Sequence, residues 1–198
     1  MVDPRTATLW GYRALYAVLA VAVIFFGLLP LSVAPAAWPL PGAVLEAMPD
    51  WLYPYDWPGA DVLLVLTIVW VLRRPDFAPI LLIGAVFLLD DLLSYRPPGL
   101  WTALVLIATE VLRARESGTR DLPFWGEWAM VGAVMLAMVV ANRLILALFL
   151  VPQVALGLDL ILLATNILLY PVIALAMNFA LGLYRPAPGE VDTWGRRL

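Results

Sequence analysis

Five ionisable side chains interrupt otherwise apolar segments of this sequence, and they are its best candidates for chemistry. Asp90 and Asp91 are adjacent, whereas Asp61, Arg143 and Asp159 lie apart from one another in the chain. Ionisable groups inside a membrane are costly and usually face one another or a water-filled space. Two aspartates that face each other can share a proton, as they do in aspartic proteases. Neighbouring helical positions diverge by about 100°, so Asp90 and Asp91 alone do not form such a pair.

The residue types that are missing exclude most other chemistry. The chain has no Cys and no His, and all of its basic residues are Arg. Thiol nucleophiles, histidine bases, Cys and His metal sites, Schiff-base lysines and the P-loop lysine are therefore excluded. An opposing carboxylate from Asp61 or Asp159 would be needed for protease chemistry, and no accompanying motif is present. We expect no enzymatic activity, no catalytic residue, no metal site and no cofactor.

The composition indicates the solvent in which these residues lie. Of 198 residues, 64% are hydrophobic and 14% are charged, whereas soluble domains are usually about 45–50% apolar and about 25% charged. In hydrocarbon the backbone must satisfy its own hydrogen bonds, so the membrane spans should be helices. The sequence predicts an all-α integral membrane protein. The formal net charge of −3 argues against nucleic acid as a partner.

Six apolar segments have the character of membrane-spanning helices, which need roughly 20 residues, with a range of about 17–25. The second and fourth segments are short. Short spans are tilted little, thin the bilayer locally, or pack inside the bundle, and in transporters they can line a binding site. We predict one transmembrane domain over residues 1–184, with spans at 12–32, 57–72, 77–93, 99–112, 124–150 and 157–183.

Arginines fall almost entirely in alternate connections and so predict the orientation. Cytoplasmic loops of membrane proteins carry an excess of Arg and Lys. Only Arg96 lies in a connection on the opposite side. We therefore expect both termini and a tail at residues 185–198 to be cytoplasmic. The arginines assigned to the cytoplasmic side are Arg5, Arg13, Arg73, Arg74, Arg113, Arg115, Arg120, Arg185, Arg196 and Arg197.

The longest predicted periplasmic loop, residues 33–56, is rich in Pro, Trp and Tyr. Its aromatic rings form either a belt at the level of the lipid headgroups or a docking surface for a partner outside the cytoplasm. The segment from Arg5 to the start of this loop resembles a cleavable leader, with Arg5, Arg13, an apolar run and then Ala34-Pro35-Ala36. Its apolar run exceeds the usual length of about 7–15 residues, so we expect it to be retained as the first span.

The predicted topology brings polar residues of four spans to a similar depth in the outer leaflet. Arginine suits such a site because its planar group binds two carboxylate oxygens and keeps its proton. We therefore predict that Arg143 pairs with Asp90 or Asp91. The cluster either holds the bundle together or binds a partner or ligand. Its members are Asp61, Asp90, Asp91, Arg96, Asn142, Arg143 and Asp159.

Other polar residues of the predicted spans have simpler predicted roles. Glu110 and Arg113 are three residues apart, which is the spacing of an ion pair on a helix surface. Glu127 opens the fifth span, where a negative charge favours the helix amino terminus. Asn166 and Asn178 on the sixth span are expected to form hydrogen bonds to neighbouring helices.

Residues 61–110 resemble the rod-shape-determining protein MreD family of bacteria. The likeness lies in an apolar span opened by Asp61 and closed by Arg73-Arg74-Pro75. Asp90-Asp91-Leu92-Leu93 then ends a helix, and Pro98-Gly99 precedes the next. Residues 120–124 (RDLPF) and 141–150 (ANRLILALFL) are similar to alphaproteobacterial members. Many members have glycine soon after Asp-Leu-Leu, whereas this chain has Ser94-Tyr95-Arg96-Pro97-Pro98.

The resemblance implies a non-enzymatic inner-membrane scaffold that maintains rod shape and guides lateral peptidoglycan synthesis. The implied partners are MreC through its transmembrane helix, MreB, RodZ, RodA and a class B penicillin-binding protein. It also implies a fold similar to the substrate-capture subunits (S-components) of energy-coupling-factor vitamin importers. A small-molecule capture subunit is therefore the alternative function. Small residues allow close helix packing or partner contact, and the candidates are Gly84, Ala85, Gly132, Ala133 and Ala137.

Overall fold

The computed structural model describes residues 4–28, 60–94, 97–115 and 123–181, and within these ranges it is all-helical. A short 3₁₀ helix at Pro75–Phe77 follows the second α-helix. The predicted periplasmic loop and cytoplasmic tail lie outside the described residues. The described α-helices are α1 (Pro4–Leu28), α2 (Val62–Arg73), α3 (Ile80–Leu93), α4 (Leu100–Ala114), α5 (Phe124–Leu148) and α6 (Leu156–Leu181).

Three of these helices, α1, α5 and α6, are long and apolar enough to cross a membrane. Their apolar segments span 22, 25 and 25 residues. The helices α2, α3 and α4 have 12, 14 and 15 residues, so they extend only about 18–22 Å at 1.5 Å per residue. The described chain is thus consistent with the predicted membrane protein, with three long helices and three short ones.

One predicted span boundary differs from the observed helix because of a proline. The first predicted span, residues 12–32, begins inside α1, which the structure describes from Pro4 to Leu28; residues 29–32 lie outside the described residues. The third was predicted to begin at residue 77, but α3 begins at Ile80, directly after Pro79 with φ −64° and ψ 151°. A residue that precedes proline is disfavoured in the α-helical conformation. Proline also lacks the N–H that continues a helix.

Helix α2 lies at the centre of the bundle. Ten consecutive residues, from Leu63 to Leu72, are buried, as expected for a helix that is apolar on all sides. It packs against α1, α4 and α6, while α1–α3, α3–α4, α4–α5 and α5–α6 are neighbouring pairs. The second predicted span is therefore short because it packs inside the bundle, which was one of the three arrangements expected for a short span.

A polar contact inside the bundle joins α1 to this central helix. The hydroxyls of Tyr16 and Thr67 lie 2.9 Å apart, and both residues are fully buried. The Thr67 hydroxyl donates to the Leu63 carbonyl at 2.8 Å, which leaves Tyr16 as the donor in the contact between the two hydroxyls. The Tyr16 ring also packs at 5.5 Å from the Trp70 ring. The two hydroxyls therefore satisfy each other within an apolar core.

Helices α5 and α6 are joined where a proline interrupts α6. Pro171 lies inside α6 and has no N–H to donate to the Ile167 carbonyl four residues earlier. The Trp128 indole of α5 donates to that carbonyl at 2.8 Å. Close approach is possible because Gly132 faces Ile167, whose Cδ1 lies 3.5 Å from the position that a Cβ would take. The proline thus exposes an acceptor, and the neighbouring helix supplies its donor.

Candidate functional site

The predicted polar cluster lies at one end of the bundle, where α3 and α5 end and α2, α4 and α6 begin. Asp61 directly precedes α2, and Asp91 lies in the last turn of α3. Arg143 lies in the last two turns of α5, and Asp159 lies in the first turn of α6. The alternating direction of the helices therefore places these side chains as the sequence predicted. Arg96 lies outside the described residues.

Asp61 caps the amino terminus of α2. Its Oδ1 accepts a hydrogen bond from the Leu64 N–H at 2.9 Å, which satisfies one of the N–H groups that a helix leaves unpaired at its start. Its own backbone N–H donates to Asn166 Oδ1 at 2.8 Å. The predicted role of Asn166 as a link between helices is thus confirmed, whereas Asn178 is exposed on α6.

Asp91 caps the amino terminus of α4 from the end of α3. It is fully buried, and its Oδ2 accepts from the Gly99 N–H at 3.0 Å, the Thr102 N–H at 3.2 Å and the Thr102 hydroxyl at 2.8 Å. Gly99 has φ +87°, a left-handed conformation that glycine adopts without strain. Asp91 therefore closes the turn between α3 and α4.

Arg143 pairs with Asp159 of α6, so the prediction that it pairs with Asp90 or Asp91 was wrong. The short connection between α5 and α6 brings these two residues together, and Asp91 is already engaged as a cap. Gln153 of this connection donates to the Arg143 carbonyl at 3.0 Å, which fixes the connection against α5. Asp90 accepts from the Ser94 hydroxyl at 3.4 Å.

A cavity of about 410 Å³ lies beside these caps, between α2, α4, α5 and α6. Its polar lining residues are Asp61, Asn142 and Asp159, and the others are apolar or aromatic. A second cavity of about 600 Å³, toward α1, is lined by Asp61 and Asp90. The structure therefore brings Asp61, Asn142 and Asp159 to one space, with Arg143 attached through Asp159. Asp91 belongs to the turn between α3 and α4 instead.

The opposite end of the bundle holds a buried polar group that the sequence reasoning missed. Arg73 Nη2, at the end of α2, lies 3.1 Å from Glu127 Oε1 at the start of α5. The Tyr170 hydroxyl of α6 donates to the same oxygen. Glu127 is only 2% exposed. Its two contacts link its own helix, α5, to α2 and α6, and its charge also favours the start of α5. The predicted topology already placed Arg73 and Glu127 on one side of the membrane, and that was the available signal.

Other arginines close this second end. Arg13 of α1 donates through Nε to the Asp76 carbonyl at 3.2 Å, and Arg113 of α4 donates to the Ala78 carbonyl. Arg113 also lies 3.1 Å from Glu110, which confirms the predicted pair. Arginines predicted to share the cytoplasmic side therefore meet at one end of the bundle, opposite the cavity.

The small residues separate into two groups by exposure. Gly84 and Gly132 are half-buried, and a Cβ on either would contact a side chain of a neighbouring helix, Leu106 or Ile167. The alanines predicted with them are exposed. The two glycines therefore serve packing within the chain, while the exposed group consists of Ala85, Ala133 and Ala137.

The chemistry available at this site is hydrogen bonding and charge pairing. Over the described ranges, no group of three or more acidic side chains is arranged to hold a metal ion. Comparisons with protein-family models, with curated proteins and with solved structures gave no significant match to the chain.

Proposed function

We propose that this chain is a non-enzymatic scaffold of the bacterial inner membrane that resembles MreD and binds the transmembrane helix of MreC. The observation that carries the proposal is the order and spacing of motifs over residues 61–110. The structure gives these motif residues connected roles that support treating them as one unit. Asp61 caps α2, Asp91 caps α4, and Gly99 forms the turn between α3 and α4.

The proposed topology has six spans with both termini in the cytoplasm. It is supported by the meeting of Arg13, Arg73 and Arg113 at one end of the bundle. The acidic caps Asp61 and Asp91 lie at the other end. Since the excess of arginine marks the cytoplasmic side, the cavity opens toward the periplasmic leaflet in this topology.

The surface proposed for the MreC helix is the exposed face of α5 that carries Ala133 and Ala137. These residues are four apart and therefore lie on the same face of the helix. Small residues at this spacing let another helix approach closely. The glycines of the same set are occupied by contacts with Leu106 and Ile167, so they are not part of this surface.

Co-purification with MreC tests this proposal. The tagged chain is isolated in mild detergent from cells that express MreC, and the ratio of the two proteins is measured by mass spectrometry. We expect a fixed ratio for the unmodified chain and a reduced ratio for the variant Ala133→Leu/Ala137→Leu. The control is Ala176→Leu, at an exposed position of α6. Absence of MreC from the unmodified chain would refute the scaffold proposal.

The second candidate is a subunit that captures a small molecule for transport, and the cavity of about 410 Å³ favours it. Ligand pockets have volumes of about 300–1,000 Å³ and combine an apolar lining with a few polar groups. Mass spectrometry of the same purified sample separates the two functions. A tightly retained metabolite in a sample that lacks MreC would favour capture.

A further inference from the structure

The helices that surround α2 are shorter on one side of the bundle than on the other. They are neighbours in the order α1, α3, α4, α5 and α6. The adjacent helices α3 and α4 have 14 and 15 residues and extend about 21–22 Å. The apolar segments of α1, α5 and α6 have 22, 25 and 25 residues and extend about 33–38 Å. The short helices therefore form one continuous side of the bundle.

Leucines mark the outward surface of α3 along its length. Leu81, Leu88 and Leu92 are exposed, and their spacing of seven and four residues places them on one face of the helix. Ala85 lies in the same stripe and is exposed as well. Helix contacts inside membranes are enriched in small residues that let backbones approach closely, whereas three of these four positions carry a large branched side chain. The stripe therefore suits acyl chains better than a second helix.

Charged side chains limit the apolar surface of this side at one end. Glu110 of α4 pairs with Arg113, and the Glu110 side chain is 48% exposed. Exposed Asp76 lies at the same end, because Arg113 donates to the Ala78 carbonyl just before α3. From Leu100 to Glu110, α4 rises only about 15 Å. Charged groups inside hydrocarbon are costly, so this end of α4 belongs at the level of the lipid headgroups.

We propose that the outward face of α3 and α4, the short face, contacts lipid directly and thins the bilayer beside it. A hydrocarbon layer of about 30 Å exceeds these helices by about 8–9 Å, and a bilayer can thin to match a span that is shorter than itself. The partner is a phospholipid bilayer that is compressed on this side only. The short face spans the membrane in the proposed six-span topology, so the proposal rests on that topology and not on MreC binding.

Depth measurements on single-cysteine variants test the thinning, because the chain has no cysteine of its own. Spin labels are attached to the full chain at Leu81→Cys or Leu92→Cys in bilayers of dioleoyl phosphatidylcholine. Collision with oxygen and with a water-soluble nickel complex gives the depth of each label below the headgroups. The matched control sites are Ala164→Cys and Leu175→Cys, which are exposed near the middle of the longer α6. Elution volume and helicity of each variant show that it remains folded.

The combined depth of the two labels on one helix measures the local thickness. Both pairs of sites are eleven residues apart, which is about 16–17 Å along a helix. We expect a combined depth of about 5 Å on α3, where the layer is thinned to the length of the helix. On α6 it should be about 13 Å, as in an ordinary layer. In the thinner bilayer of dimyristoleoyl phosphatidylcholine, the combined depth should fall on α6 and stay nearly constant on α3.

The results that would overturn the proposal are distinct from those that would refute the topology. Equal combined depths on α3 and α6 would overturn the thinning and leave the six spans intact, as would a depth on α3 that follows acyl-chain length as steeply as on α6. Low collision with both oxygen and nickel on α3 would mean that a second copy covers the short face, which also overturns the proposal. Labels on α3 that are as accessible to nickel as a label at Asp76→Cys, without the excess of oxygen found in lipid, would refute the topology itself.

Discussion

The hydrogen bond from Trp128 to the Ile167 carbonyl should stabilise the bundle only because Pro171 is present. Proline withholds the N–H that would otherwise bond this carbonyl within α6. The Trp128 indole replaces it from α5 at a distance of 2.8 Å, which is near the optimum for N–H···O bonds. Removing the indole N–H therefore leaves a carbonyl in apolar surroundings without its donor.

The magnitude follows from the setting of the bond. Hydrogen bonds between helices in a membrane average about 0.6 kcal/mol and reach about 1.7 kcal/mol in double-mutant cycles. A well-aligned bond to a carbonyl without a helical donor belongs at the upper end of this range. We expect Trp128→Phe to lower the free energy of unfolding by about 1.5 kcal/mol. The same change in a Pro171→Ala background should cost about 0.5 kcal/mol, because that background restores the backbone donor within α6.

The assay is reversible unfolding in mixed detergent micelles, with the free energy measured for the four proteins of the cycle. Trp125→Phe is the control for the loss of an indole, because Trp125 lies one turn away and is 69% exposed. Its cost should be near zero in both backgrounds. A Trp128→Phe cost that is the same with Pro171 and with Pro171→Ala would refute the coupling between the proline and the indole.

Three further predictions concern the charged residues. Arg143→Leu should reduce the amount of folded protein in the membrane and destabilise it by about 2–3 kcal/mol, because Asp159 loses its hydrogen-bonded partner. The charge-swapped pair Arg143→Asp/Asp159→Arg should partly recover the folded yield if the two side chains pair directly. No recovery would contradict direct pairing. Asp91→Ala should cost about 2 kcal/mol by unfolding because it removes a buried cap, while Asp90→Ala should cost less than half as much. Glu127→Leu should destabilise the bundle by about 3–5 kcal/mol, because it leaves a mostly buried arginine of α2 without its ion-pair partner; a Glu127→Leu protein as stable as the unmodified chain would contradict that role.

Much of the fold could be predicted because the driving pattern is local. Each described α-helix overlaps a predicted apolar segment, since long apolar runs in hydrocarbon adopt helices whatever their neighbours. The prediction of the polar end also held for Asp61 and Asp159, because alternation of helix direction determines depth. The later start of α3 came from Pro79, whose backbone is extended and directly precedes the helix.

The partners within the polar end could not be predicted from depth alone. Depth made Asp90, Asp91 and Asp159 equivalent candidates for Arg143, and only the packing of α6 beside α5 selects Asp159. The link from Glu127 to Tyr170 crosses 43 residues. No spacing in the sequence indicates such a contact, because it depends on how helices are placed around α2.

The short helices account for two of the acidic residues at the polar end, Asp61 and Asp91. In the proposed topology, α2 extends about 18 Å in a hydrocarbon layer of about 30 Å, so its ends cannot both reach water. The first N–H groups of such a helix must then find partners within the protein. Asp61 provides one at α2, and Asp91 provides two at α4. A carboxylate suits both places because it accepts several hydrogen bonds and complements the helix dipole.

The acidic residues at the polar end differ in what their side chains contact. Asp91 is fully buried at the turn that it caps, and neither cavity includes it. Asp61 also caps a helix, yet it lines both cavities. Substituting Asn at Asp61 preserves the cap and removes the charge, so the contribution of the cap to stability can be measured apart from that of the charge. Asp61 is therefore the position at which the demands of the membrane fold and the chemistry of the cavity meet in one side chain.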